Sequence, residues 1–106
     1  MDKIYIAIAG RQRRVEANWN AITSYLTSRG KNTLQGLSDI SAMPPTEIPH
    51  LMVACINEGE RLDGRDASLT AEWIGENCRM AEMTEFITAF CRMVTPQVSV
   101  EQAKKE

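Results

Sequence analysis

The chain lacks the features that most often reveal an enzyme or a metal protein in a sequence. It has one histidine, His50, and only three cysteines, Cys55, Cys78 and Cys91. An odd number of widely spaced cysteines fits neither a disulfide framework nor a Cys-x-x-Cys metal knuckle, which favours buried thiols in a reducing cytoplasm. Glycine-rich phosphate loops, Ser-His-Asp order and paired catalytic carboxylates are also missing. These absences predict a protein that is not an enzyme and binds no metal or other cofactor.

Long hydrophobic runs are absent as well. Nothing in the sequence approaches the roughly 18 to 20 consecutive apolar residues that a membrane-spanning helix needs. The apolar stretch that follows Lys3 is shorter than the core of a signal peptide, and Arg11 interrupts it. The sequence therefore predicts a soluble cytoplasmic protein without a membrane partner.

The chain also has no large excess of one charge. Its 12 Lys and Arg residues stand against 14 Asp and Glu residues, a net charge of -2. Without an overall basic field, nucleic acid is not the expected partner. The charges are nevertheless unevenly distributed, because basic residues gather before residue 15 and acidic ones between residues 57 and 76. This asymmetry predicts a molecule with one basic end and one acidic end.

What the chain does have is the composition of one globular domain. Of its 106 residues, 43% are hydrophobic and 25% are charged, so it has enough apolar surface for one core but is too short for two. We expect residues 1–95 to form a single domain and residues 96–106 to form a flexible polar tail.

The first seventeen residues favour a β-hairpin. Ile4, Ile6 and Ile8 alternate with other residues, as in a strand with one buried face, and Gly10 supplies a turn. The polar stretch that follows, 11–17, suits a solvated second strand whose charges protect its edge. The pattern predicts a hairpin over 3–17, and an exposed edge would permit it to pair with the hairpin of a neighbouring copy in a homo-oligomer.

Helical periodicity dominates the remainder. Asn18 is a good helix cap, Trp19, Ile22 and Leu26 share one face, and Gly30 ends the segment. Similar spacings, with Thr46 and Ser68 or Thr70 as further caps, predict later helices. Leu34, Leu37 and Ile40 fit either a short helix or an ordered loop. The fold class is therefore mainly α (α+β), a small helical bundle of three to five helices with an N-terminal β-hairpin, and the helices lie at about 19–29, 46–58, 70–77 and 80–94.

The acidic residues after position 57 do not form a recognisable metal site. Glu58, Glu60, Asp63 and Asp66 lack the alternating order and the twelfth-position glutamate of a calcium-binding EF-hand loop. Arginines interleave with them, which predicts solvated ion pairs. His50 lies near a helix start and could act as a general base, but the sequence shows neither an orienting carboxylate nor an oxyanion site.

The order of these features resembles the tail assembly chaperones of long-tailed bacteriophages and related prophages. The resemblance covers residues 3–94 and rests on the hairpin, the helix that opens at Asn18, the Leu-rich connector 34–40 and the helix 46–58. Its most specific part is the glutamate-glycine turn at 58–64, followed by the Leu-Thr helix start at 68–75.

The resemblance implies a non-catalytic role in phage tail assembly. Members of this family bind the long helical tape measure protein in the host cytoplasm, keep it soluble, help to recruit tail tube subunits, and are absent from the finished particle. A groove between the helices 46–58 and 80–94 would suit such a partner. We expect Glu58 and Arg61 at its rim, with Leu62 and Met83 as further partner-binding residues.

Two alternatives remain open from the sequence. Arg11, Arg13 and Arg14 could contact phosphates, which would make the chain a small regulatory module that binds nucleic acid through its basic hairpin. An enzyme subunit that uses His50 is the third possibility.

Overall fold

The structure is a computed structural model that describes residues 3–31, 43–66 and 68–94. These residues form an antiparallel hairpin followed by helices, which confirms the predicted mainly α architecture of the α+β class. The elements are β1 (Ile4–Ile8), β2 (Arg11–Val15), α1 (Trp19–Ser28), a single 3₁₀ turn (Pro45–Glu47), α2 (Ile48–Leu62), α3 (Ala71–Asn77) and α4 (Met80–Val94). The predictions for the connector 34–40 and the tail 96–106 lie outside the described residues.

The hairpin has a two-residue turn. Ile4 lies opposite Val15 and Ile8 lies opposite Arg11, so that only Ala9 and Gly10 join the strands. Both have positive φ, 55° and 80°, as a type I′ turn requires. Since alternate side chains of a strand share a face, Ile8 and its neighbours at even positions face the helices, as predicted.

Helix α1 begins and ends as its sequence predicts. The Asn18 side chain accepts a hydrogen bond from the Ala21 amide at 2.9 Å, and Gly30 adopts a φ of 70° just after the helix. The prediction that Trp19 belongs to the buried face was wrong, because its side chain is 66% exposed. The side chains buried from this helix are those of Ala21, Ile22, Tyr25 and Leu26.

Helix α2 is longer than predicted and starts later. Thr46 falls within the 3₁₀ turn rather than capping the helix, and the helix continues four residues past 58, to Leu62. The stretch interpreted as a glutamate-glycine turn is therefore helical until Asp63. Gly59 lies within it because the helix packs directly against β2 there, where a Cβ atom would collide with the Arg14 carbonyl oxygen.

Helices α3 and α4 agree with their predicted ranges to within a residue. Thr70 caps α3 by accepting a hydrogen bond from the Trp73 amide at 3.2 Å. In α4, Phe86, Ala89 and Phe90 are buried, while Ile87 and Val94, predicted on the same apolar face, remain 40% and 45% exposed. The apolar face of α4 is thus wider than the surface that the core covers.

Both strands and all four α-helices described above contribute to one hydrophobic core. It joins the inner face of the hairpin to one face of each helix. Its largest fully buried side chains include Tyr25, Phe86, Ile8, Met52 and Ile56. Helix α2 contacts β2, α1 and α3, which makes it central to the packing, and α4 contacts β1.

Candidate docking groove

An apolar groove of about 540 Å³ opens beside the core, between α1, the first half of α2 and α4. Buried side chains such as Leu51 and Phe86 form its floor, and the Phe86 and Phe90 rings stack at 6.0 Å between centroids. These contacts give the groove a rigid base. The full lining is Trp19, Ile22, Met43, Ile48, Leu51, Phe86, Ile87, Phe90, Cys91 and Val94.

The rim of the groove carries large exposed apolar side chains. Trp19 projects from the first turn of α1, and Ile87 and Val94 project from α4, two turns apart on the same face. Covering apolar surface contributes roughly 25 cal/mol for each Å² removed from water. A partner that fills the groove would gain this stabilisation from all three side chains.

The lining has the chemistry of a docking surface. Among the described residues that line it there is no carboxylate, histidine, lysine or arginine, and Cys91 supplies their one thiol. Such a set of groups suits the burial of apolar side chains from a partner.

Glu58 and Arg61, expected at the rim of a groove, do not line this one. The Glu58 carboxylate accepts hydrogen bonds from Arg61 at 2.9 and 3.0 Å and from the side-chain Nδ2 of Asn18 at 2.8 Å. The hydrogen bonds from Arg61 lower the pKa of Glu58 below its ordinary value. The pair therefore braces the start of α1 against α2, beside a shallow depression that also includes His50.

Leu62 and Met83 also lie outside the groove lining. Leu62 is exposed at the end of α2, and Met83 is half-buried against the core. Their role in binding a partner stays a prediction. The groove residues that we missed, such as Trp19 and Ile48, were assigned to the core or left unassigned, since periodicity identifies an apolar face but not how much of it a neighbour covers.

We predicted that the arginines of the hairpin form a solvated edge, and this prediction was wrong for Arg13 and Arg14. Arg14 bonds to Asp63 at 2.9 Å and to Glu16 at 3.2 Å, and only 13% of its side chain is exposed. The guanidinium of Arg13 lies 5.3 Å from the centre of the Trp73 ring, within the range of a cation–π contact. Of the three arginines proposed for nucleic acid, only Arg11 keeps more than half of its side chain exposed.

Glu60 lies at the centre of a group of arginines. The prediction that the acidic residues form solvated ion pairs was wrong for this residue. Its side chain is 1% exposed, yet guanidinium groups of Arg11, Arg13 and Arg65 lie within 3.3, 4.0 and 3.6 Å. A buried carboxylate is tolerated only with such partners. The junction between the hairpin and the end of α2 is therefore an ionic cluster around a buried carboxylate, and we call it the ionic junction.

Asp63 completes the junction from the other face of the hairpin. It accepts hydrogen bonds from the Tyr5 hydroxyl at 2.6 Å and from Arg14 at 2.9 Å. The bond from Tyr5, followed by that from Arg14, lowers the pKa of Asp63 below its ordinary value of 3.8. The same contact raises the pKa of Tyr5.

The remaining candidates for chemistry are scattered. Cys55 is buried, as expected, and burial raises its pKa to about 12, whereas Cys91 is exposed, contrary to expectation. His50 lies in the depression beside Glu58, and its use as a general base stays a prediction. Within residues 3–31, 43–66 and 68–94, no three His, Cys, Asp or Glu side chains are grouped to hold a metal ion.

Among the described helices, none combines the length and apolarity needed to cross a bilayer. Comparison with protein-family models, with curated proteins and with solved structures finds no match to this chain.

Proposed function

We propose that this chain is a non-catalytic phage tail assembly chaperone whose apolar groove holds an amphipathic helix of the tape measure protein. The observation that carries the proposal is the groove itself, with Trp19, Ile87 and Val94 exposed around a buried aromatic floor. Exposed apolar patches of this kind often mark the sites where proteins bind one another. The identity of the partner comes from the family resemblance.

The lining of the groove is compatible with a helical partner. Residues of three helices line it, and an amphipathic helix can place side chains at positions i, i+3 or i+4, and i+7 into an apolar groove of this kind. A tape measure protein exposes a long apolar helical stripe until the tail tube covers it, and that stripe is an aggregation hazard. Several copies of a small chaperone, each covering a short part of the stripe, would keep it soluble and bring tube subunits to it.

The described residues of the lining carry no charge, which supports a chaperone role over specific recognition of one sequence. Buried charges would need matching charges on the bound helix, which would restrict binding to a few positions. An apolar lining, with a thiol and a methionine as its polarisable members, accepts varied side chains. Such tolerance suits a long partner that must be covered along its length.

The direct test is co-expression with the tape measure protein encoded near the gene for this chain. We expect the tape measure protein to become soluble and to co-purify with the wild-type chain. Ile87→Asp should abolish co-purification, because it places a carboxylate on the apolar rim, while its exposed position lets the variant fold.

Thr88→Asp is the matched control, since it adds the same charge to the next, exposed residue of α4, outside the groove lining. It should co-purify like wild type. If the tape measure protein still aggregates beside a well-folded wild-type chain, the chaperone function is wrong. Equal co-purification by Ile87→Asp and Thr88→Asp would keep the function but remove the groove as its site.

The nucleic-acid alternative gains no support from the hairpin. Arg13 and Arg14 are bound to carboxylates of the chain itself, so a phosphate would have to displace those contacts. A steep loss of DNA affinity with rising salt would revive this alternative.

A further inference from the structure

The two edges of the hairpin are not equivalent. Because the turn has two residues, Ile8 and Arg11 form a hydrogen-bonded pair, and every second pair along the ladder does the same. The backbone N–H and C=O groups of Tyr5 and Ala7 therefore point away from β2. They form the outer edge of the sheet on the β1 side.

The outer edge of β2 is covered by α2. Gly59 lets that helix approach the Arg14 carbonyl so closely that no Cβ atom would fit between them. Just beyond the strand, the Glu16 amide donates a hydrogen bond to the Cys55 carbonyl at 3.1 Å. A second strand cannot pair on this side without displacing α2.

The outer edge of β1 has no such cover. Across the described ranges, neither backbone nor side-chain groups hydrogen-bond to the N–H or C=O of Tyr5 or Ala7. The Tyr5 side chain is 40% exposed, so the edge borders solvent. Four backbone groups in a row are thus available to a further strand.

The residue types that usually protect an open strand edge lie on β2, the covered strand, and not on β1. Natural sheets discourage edge pairing with charged residues or proline. Here the charges belong to β2, the covered strand, whereas residues 4–9 of the open strand contain neither a charge nor a proline and are rich in β-branched isoleucine. That composition favours strand pairing.

We propose that β1 pairs antiparallel with β1 of a second copy of this chain, so that two hairpins form one four-stranded sheet. With Ile6 at the two-fold axis, Tyr5 of each copy lies opposite Ala7 of the other. All eight open backbone groups of the two copies then pair in four hydrogen bonds.

A second copy fits this edge because the edge is complementary to itself. The register places a large side chain, Tyr5, beside a small one, Ala7, and sets Lys3 against the uncharged Ala9, so that no like charges meet. A two-fold axis perpendicular to the sheet keeps the helices of both copies on the same side. The edge shares no residue with the groove lining, and the pairing does not depend on the proposed function.

The proposed contact between the two β1 strands is small, so we expect it to be weak. Four backbone hydrogen bonds and a few side chains bury far less surface than a permanent dimer does. We therefore expect a reversible dimer whose population rises with protein concentration.

Sedimentation equilibrium of the full chain over a range of concentrations, combined with amide hydrogen exchange, tests the proposal. We expect a monomer–dimer equilibrium, and the Tyr5 and Ala7 amides should gain protection from exchange as the dimer forms. Exchange at these two amides that is independent of concentration would overturn the proposal, as would a chain that stays monomeric throughout.

A matched pair of variants locates the contact. Ala7→Lys places a charge on the open edge and should weaken dimerisation by roughly tenfold or more. Gln12→Lys places the same charge opposite residue 7 on the covered strand and should dimerise like wild type. Dimerisation that survives Ala7→Lys but is lost in Ile87→Asp would assign the contact to the groove and contradict the edge pairing.

Discussion

The ionic junction and the docking groove differ in which side chains they bury and which they expose to water. At the junction between the hairpin and α2, charged groups that usually face water are buried and paired with one another, as Glu60 and Arg13 are. At the groove, apolar groups that are usually buried face water, as Trp19 and Ile87 do. The comparison indicates that the junction serves the stability of the fold, whereas the groove is the surface that we propose to bind a partner.

The largest effect should come from the closest approach at the junction. Gly59→Ala forces a methyl group against the Arg14 carbonyl and should lower the free energy of unfolding by about 2 to 3 kcal/mol. Gly75→Ala is the control, because that helical position faces open space and alanine should stabilise it by about 0.5 to 1 kcal/mol. Urea unfolding measures both, and equal effects would mean that α2 does not pack so tightly on β2.

A pH-dependent effect should follow at Asp63. Its pKa in the folded protein lies below 3.8, so the bonds from Tyr5 and Arg14 stabilise the fold at neutral pH and are lost as the pH falls through the folded-state pKa. Asp63→Asn should therefore lower stability at pH 7, with a difference from wild type that shrinks below pH 3.8. A difference that is the same at pH 7 and at pH 3 would show that the charge of Asp63 contributes nothing.

The smallest effect should appear at the groove rim. Trp19→Ser removes a large side chain that is two-thirds exposed, so the free energy of unfolding should stay within about 0.5 kcal/mol of wild type. The affinity for the partner should fall clearly, and isothermal titration calorimetry would measure the change. A large loss of stability would place Trp19 in the core and remove the contrast between the two regions.

Much of the fold could be predicted because it depends on local patterns. The alternation of isoleucines, the Asn18 cap and the spacing of Phe86 and Phe90 act within one strand or one helix, and each was placed correctly. The predicted end of α2 was wrong because Gly59 reads as a helix terminator, whereas here a neighbouring strand requires it. The candidate site was harder to predict, since the groove gathers residues from three helices.

The sequence by itself determined the element types, since the period of its apolar residues and its capping and turn residues specify strands and helices locally. Only the tertiary structure decided which apolar faces are covered and which charges are buried. Coverage depends on how closely distant segments approach, and single positions control that approach, as Gly59 does by letting α2 lie against β2. The burial of Glu60, the exposure of Trp19 and the open edge of β1 are all consequences of packing between segments far apart in the chain.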